Sequence, residues 1–327
     1  MYFATEQLNL SVIRNSILLL VHLLKFGRYT VFLMNPKVSL IIGIVCISFS
    51  PIFVKLAGVP PITSGFYRIF IAWLCLAPYC IAKGKLKIGR NELLIAIAGG
   101  VVFGADIAVW NISLLKISAT VSTLLANLAP LWVGLMSFLL LKKRSGVLFW
   151  IGTAVSIAGM VVLVGYQNIL ALKFNTGILL ALLASFLYAI YIMITRGILQ
   201  KISTLTFMFY NMLGASVFML TICGFQHNSM IDFPISAWLC LVGMGLICQL
   251  AGWLTINHSL RFLESTKVSI ALLSQTVIAG LWATFLLHER LELNEIIGSV
   301  IVLAGIAVTF LRAPIKKNHK LTFVKKG

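Results

Sequence analysis

Charge is what this sequence lacks most. Asp, Glu, Lys and Arg make up 10% of its 327 residues, and only 8 of those are acidic. A water-soluble domain carries roughly 25% charged residues. With 60% hydrophobic residues and a mean hydropathy of +1.04, a soluble fold would expose far more apolar surface than water tolerates. A soluble class is excluded, and a lipid bilayer is the solvent that fits. Catalytic signatures are missing as well: no HExxH, no GxSxG and no GxxxxGK[S/T] loop occurs. Without a nucleotide loop, ATP-driven transport has no support, so a driving force would come from a solute or ion gradient. The cysteines (Cys46, Cys75, Cys80, Cys223, Cys240 and Cys248) form no CxxC pair and lie within or beside apolar runs. They read as reduced packing residues, and no metal or other cofactor is expected.

The basic residues are present in excess, giving a formal net charge of +18. They fall in short clusters between apolar runs, without the basic stripe and interleaved aromatics of a nucleic-acid surface. No nucleic-acid partner is expected. Counted over alternate loops, one side of the membrane receives 18 Lys and Arg and the other 5. The positive-inside rule then puts both termini in the cytoplasm, which requires an even number of spans.

A span needs about 20 apolar residues. Runs of that length predict ten helices, at 38–56, 62–81, 93–114, 120–141, 148–166, 176–194, 205–225, 237–256, 268–287 and 296–311. The connections are short, so a compact bundle follows, without a soluble domain. The first 33 residues differ. Their apolar run at 17–24 is too short to span, and His22, Lys25 and Arg28 interrupt or flank it. An interfacial helix, a poor signal sequence or a start at Met34 would each explain it, with Met34 favoured.

Displacing the chain on itself by 146 positions brings identities into register. Asn111, Ser113 and Leu114 fall on Asn257, Ser259 and Leu260; Thr120 on Thr266; Arg144 on Arg290; Gly152, Ala158 and Gly159 on Gly298, Ala304 and Gly305. Ser48-Phe49 is repeated as Ser185-Phe186 at another offset. Five helices per half is an odd number, so the second copy would enter the membrane upside down. An inverted-topology pair can exchange conformations between its halves, one state open to each side. That property points to a transporter. The units would be 36–167 and 168–312, between an N-terminal extension at 1–35 and a basic tail at 313–327.

The chain resembles the EamA-type members of the drug/metabolite transporter superfamily. The resemblance rests on SPIFVKL at 50–56, Arg68 after Pro60-Pro61, WNISL at 110–114 and LLANLAP at 124–130. In the second half it rests on His288-Glu289-Arg290 and the glycine-spaced helix of Gly298 and Gly305. It runs from about Pro36 to Leu311. One departure is that Lys143-Arg144 stands where such proteins commonly carry Glu-Arg, as Glu289-Arg290 does here. The resemblance implies an all-α integral membrane bundle with a central cavity for an amino acid, related metabolite or amphiphilic molecule. Export is one direction it could run. The expected location is a bacterial inner membrane.

The candidate site residues follow from polarity at depth. Asp106 lies about two-thirds along the third span, where a carboxylate is costly unless it faces a cavity or a partner. It would recognise a solute amine or couple proton movement, or else pair structurally with Lys55 or Arg68. Arg68 has a guanidinium fork suited to a solute carboxylate, though snorkelling would explain both it and Lys55. Trp110 shares a helix face with Asp106, and Asn111 follows it. Asn127 lies mid-helix beside Pro130. Gln249, Trp253 and Asn257 recur at spacings of four as one polar-aromatic stripe. Gln275, Tyr188 and Tyr191 complete the set, with helix-packing glue as the alternative for all of these. Gly100-x-x-x-Gly104 permits close helix approach. Gly152/Gly159 and Gly298/Gly305 are expected to line seams, within the chain or at a homodimer contact. A membrane-embedded enzyme and a non-carrier channel or scaffold are the rival functions. Only one deeply placed carboxylate is available to an enzyme.

Overall fold

The computed structural model describes residues 35–114, 116, 122, 125–139, 146–164, 176–226, 229–287 and 293–310. The expectations on the N-terminal segment, on 142–144, on 288–290 and on the tail lie outside these residues. The described residues are helical apart from short connections. In a medium without water, helices satisfy every backbone N–H and C=O within one segment. The helices are α1 (Pro36–Ser48), α2 (Ser50–Ala57), α3 (Pro61–Ala82), α4 (Arg90–Leu114), α5 (Ala129–Leu139), α6 (Val147–Val164), α7 (Thr176–Ile198) and α8 (Thr204–Phe225). They continue as α9 (Ile235–Gly243), a π-helical segment (Met244–Gly252), α10 (Trp253–Phe262), α11 (Ser265–Ala271), α12 (Ser274–Leu287) and α13 (Leu293–Phe310).

Local sequence sets several of these boundaries. Asn35 caps α1 by accepting from the Lys37 N–H at 3.0 Å, with Pro36 at the first helical position. Ser203 caps α8 through the Thr206 N–H at 3.2 Å. At the end of α2 the chain turns at Gly58, whose φ of 59° is the left-handed value glycine adopts without strain.

Among the described residues, seven stretches are long and apolar enough to cross a membrane: Pro36–Ala57, Pro61–Ala82, Arg90–Ser113, Thr176–Ile198, Thr204–Phe225, Ile235–Phe262 and Ser265–Leu286. Three shorter apolar helices, Ala129–Leu139, Val147–Val162 and Ile296–Thr309, fall where the other expected spans lie. Three of the long stretches are irregular. The first breaks at Phe49, before Ser50-Pro51. The sixth winds through the π-helical segment. The seventh turns at Leu272-Leu273, and the described residues show a matching turn at Asn127-Leu128.

Polar links between the helices come in pairs. Ser113 on α4 donates to the Gly177 carbonyl at 2.9 Å, and Ser259 on α10 donates to the Pro36 carbonyl at 2.8 Å. Tyr67 on α3 donates to the Met230 carbonyl at 2.6 Å, and Tyr210 on α8 to the Leu86 carbonyl at 2.8 Å. In each pair, a helix of one half reaches backbone at the edge of the other half.

Helices α6 and α13 pack face to face and antiparallel through glycine. A Cβ added to Gly159 would sit 2.6 Å from the Val302 nitrogen and 2.9 Å from the Gly298 oxygen. One added to Gly305 would sit 2.7 Å from the Gly152 oxygen. Between them Ser156 donates to the Val302 carbonyl at 3.3 Å. The two glycine pairs are therefore consumed by each other within one chain. Gly100 similarly brings α4 against the Asn211 and Ala215 backbone of α8. Because backbone atoms cannot yield as a side chain would, Gly159→Ala should cost about 1–3 kcal/mol. Gly197→Ala, which meets nothing within 4 Å, should be neutral or slightly stabilising. Thermal unfolding of the two variants in detergent checks the contrast.

Candidate functional site

Arg68 lies two turns into α3 and faces the interior. Its Nε donates to Gln249 Oε1 at 3.0 Å and its Nη1 to Ser50 Oγ at 3.1 Å. Both acceptors come from irregular backbone. Ser50 opens α2 at the break in the first span, and Gln249 sits in the π-helical segment. π-helical turns occur frequently at functional sites, and this one presents an amide to the Arg68 guanidinium. Two of five guanidinium N–H groups are used in these bonds.

Asp106 projects from α4 into the same region, half-buried and within electrostatic reach of Arg68, Tyr188 and Tyr191. Arg68 makes its hydrogen bonds to Gln249 and Ser50, and among the described residues no ion pair joins it to Asp106. Lys55, the other basic residue weighed as a partner, is exposed.

Aromatic rings wall this region. Trp253 opens α10 and packs edge-on against Phe103 at 5.0 Å, Tyr191 at 5.3 Å and Tyr188 at 6.1 Å between centroids. Phe103 and Tyr191 are themselves 4.6 Å apart. Several buried polar atoms here have no hydrogen-bond partner among the described residues: Trp253 Nε1, Thr195 Oγ1 and Asn257 Oδ1; Trp110 Nε1 on α4 is unpartnered too. The Tyr191 hydroxyl lies beside the side chains of Asn257 and Thr195. Such orphaned groups cost about 1–3 kcal/mol each when left dry, so each calls for an explanation.

Arg68, Asp106, Tyr188, Tyr191, Gln249, Trp253 and Asn257 are thus brought together. Trp110 is on the same helix as Asp106, one turn further on. Asn111 is used elsewhere: its Nδ2 donates to the Pro61 carbonyl at 2.7 Å, tying α4 to the start of α3. Asn127 and Gln275 bond each other, Gln275 Nε2 to Asn127 Oδ1 at 3.1 Å, across the two turns noted above. Sequence reasoning missed Ser50 and Phe103. Pro51 inside an apolar run was the signal for a helix start at Ser50, and Phe103 precedes Asp106 by one helical turn. The polar set is lopsided: 146 positions on, Asp106 corresponds to Gly252 and Phe103 to Gln249.

The EamA-like transporter family matches residues 37–165 and again 175–311. The chain belongs to this family, within the drug/metabolite transporter superfamily. It is a multi-pass membrane protein and a membrane transporter. The uncharacterized transporter YdfC of Bacillus subtilis (strain 168) is 24% identical over 284 residues, covering 86% of this chain and 92% of its own length. An S-adenosylmethionine uptake transporter of Rickettsia prowazekii (strain Madrid E) is 20% identical over 238 residues, 73% of this chain and 79% of the relative. One solved crystal structure superposes with a TM-score of 0.72 at 18% identity, covering 84% of this chain and 96% of the other. The fold is shared.

Gln249→Leu in this EamA protein removes the acceptor from Arg68 Nε. Leaving a buried charged donor unsatisfied should lower stability by about 1–3 kcal/mol, whereas Ser50→Ala, a smaller change that keeps the Gln249 bond to Arg68, should cost less. Melting temperatures of the two purified variants test the order.

Proposed function

We propose that this chain is a secondary, alternating-access carrier of a small organic solute that bears both an anionic and a cationic group, as amino acids and related metabolites do. The observation carrying this reading is that Arg68 and Asp106 lie within electrostatic reach of one another in an aromatic-walled region, with no ion pair between them among the described residues. The guanidinium keeps N–H groups for a solute carboxylate. The Asp106 carboxylate suits a solute cation, assisted by the faces of Tyr188, Tyr191 and Trp253. Trp110, Asn257 and Gln249 supply polar contacts around the solute's middle, and Asn127 with Gln275 joins the halves nearby. Asp106 is also able to carry a coupling proton.

The architecture we infer is ten spans in two inverted repeats, at 36–167 and 168–312. Support comes from the α6–α13 seam. Gly152 meets Gly305, Ser156 meets Val302, and Gly159 meets Gly298, so position i touches j+146 while j touches i+146. That reciprocity is the mark of a two-fold axis. One index falls as the other rises, so the helices are antiparallel and the axis is perpendicular to them. For helices crossing a bilayer, such an axis lies in the membrane plane, which is the inverted arrangement. Both termini then face the cytoplasm of a bacterial inner membrane, as the distribution of Lys and Arg supports.

The experiment is thermal stabilisation of the purified protein by amino acids, amines, organic acids and S-adenosylmethionine, the solute named for one relative, followed by uptake of the hits into proteoliposomes. A solute bound at 100 times its Kd should add about 2.7 kcal/mol of stability. Zwitterions are expected to stabilise and to move saturably; a response confined to singly charged compounds would sink the proposal. Asp106→Asn should cut uptake at least about tenfold while expression and melting temperature hold. Normal flux in that variant would remove Asp106 from the mechanism.

A further inference from the structure

Two hydrogen-bonded chains of the same composition cross between the halves. In one, Trp282 Nε1 on α12 donates to Ser48 Oγ at 3.1 Å, and Ser48 donates to the Val45 carbonyl at 2.7 Å. In the other, Trp132 Nε1 on α5 donates to Ser185 Oγ at 2.9 Å, and Ser185 donates to the Leu182 carbonyl at 2.7 Å. The residue after each serine is phenylalanine, and it meets the same tryptophan. Phe49 stacks on Trp282 at 4.4 Å, and Phe186 meets Trp132 edge-on at 5.4 Å. The first helix of each half is therefore held at mid-span by a tryptophan from the fourth helix of the other half.

Three features distinguish these links from ordinary packing. Each tryptophan stands on the C-terminal side of a turn in its helix, at Asn127-Leu128 or Leu272-Leu273, so the segment bearing it can swing without moving the whole span. Each serine lies next to residues facing the solute region on its own helix: Ser48 is two residues before Ser50, which binds Arg68, and Ser185 is one turn before Tyr188. Finally, a lone indole N–H to hydroxyl bond is weak enough to exchange, with a net worth of about a factor of five in equilibrium.

We infer that Trp282–Ser48 and Trp132–Ser185 are a pair of opposed latches: release of one opens the solute region to one face of the membrane, and release of the other opens it to the opposite face. Both are closed in the present structure, as an occluded state requires. These tryptophans and serines are positioning residues, since they reach the solute through Ser50 and Tyr188. The inference rests on the alternating-access reading above.

The test uses the full-length protein in liposomes with Trp132→Phe, Trp282→Phe and the double variant, each keeping the ring and losing the N–H donor. Spin-label pairs report opening at one end of the bundle (Lys85 with Gln200) and at the other (Lys116 with Ile231). The single variants should shift the ratio of open ends about fivefold in opposite directions, and the double variant should return toward the parent ratio. Ser48→Ala should reproduce the sign of Trp282→Phe, and Ser185→Ala that of Trp132→Phe, which guards against a variant that misfolds. Shifts toward the same end, or lower stability without any shift, would overturn the latches. Opposed shifts in a protein that moves no solute would keep the latches and discard the carrier reading.

Discussion

Hydrocarbon offers no hydrogen bonds, and the arrangement of this chain follows from that single constraint. Backbone groups are closed within helices. Some hydroxyls turn back on their own helix, as Ser48, Ser185 and Thr255 do, with Thr255 bonding the Ala251 carbonyl at 2.9 Å, and others reach a neighbouring helix or loop. Arg68 carries a charge that its own helix cannot satisfy. Ser50 and Gln249 reach it because the first and sixth spans give up regular geometry where they pass it. Irregular backbone in a membrane protein is tolerated where it lines a cavity or is covered by protein, and here it occurs beside the charges.

Small residues decide how the spans approach. At Gly100, Gly152, Gly159 and Gly305 a side chain would collide with backbone of the neighbouring helix, and close backbone approach replaces the hydrophobic driving force that lipid removes. The polar bonds add direction. Ser113, Ser259, Tyr67 and Tyr210 each bind a carbonyl at the far half's helix ends or loops. The halves are thus interleaved, which favours sliding of packed helices over separation of two blocks.

Much of this was legible in the sequence. The apolar runs located the seven long apolar stretches and the three shorter apolar helices found among the described residues, because a bilayer fixes the length to look for. The cost of a carboxylate at depth singled out Asp106, and the spacing of four singled out Gln249, Trp253 and Asn257. Sequence periodicity places a side chain on a helix face, but not opposite a particular partner. That is why Asn111 reads as a site residue yet ties two helices together, and why Asn127 and Gln275 give no hint of bonding one another. The same limit hid the tryptophan–serine links, whose members are 53 and 234 residues apart.

The π-helical segment introduces a difference that duplication alone would not. Its Gln249 stands where the other half has Phe103, and Gly252 stands where the other half has Asp106. In the two-fold scaffold proposed above, the polar lining would therefore not be two-fold. A molecule with unlike ends would have one preferred heading inside the proposed carrier, and reversing the opening would not turn it around. It would enter and depart with the same end leading, so the end that goes deepest on loading would be the first to meet water on release.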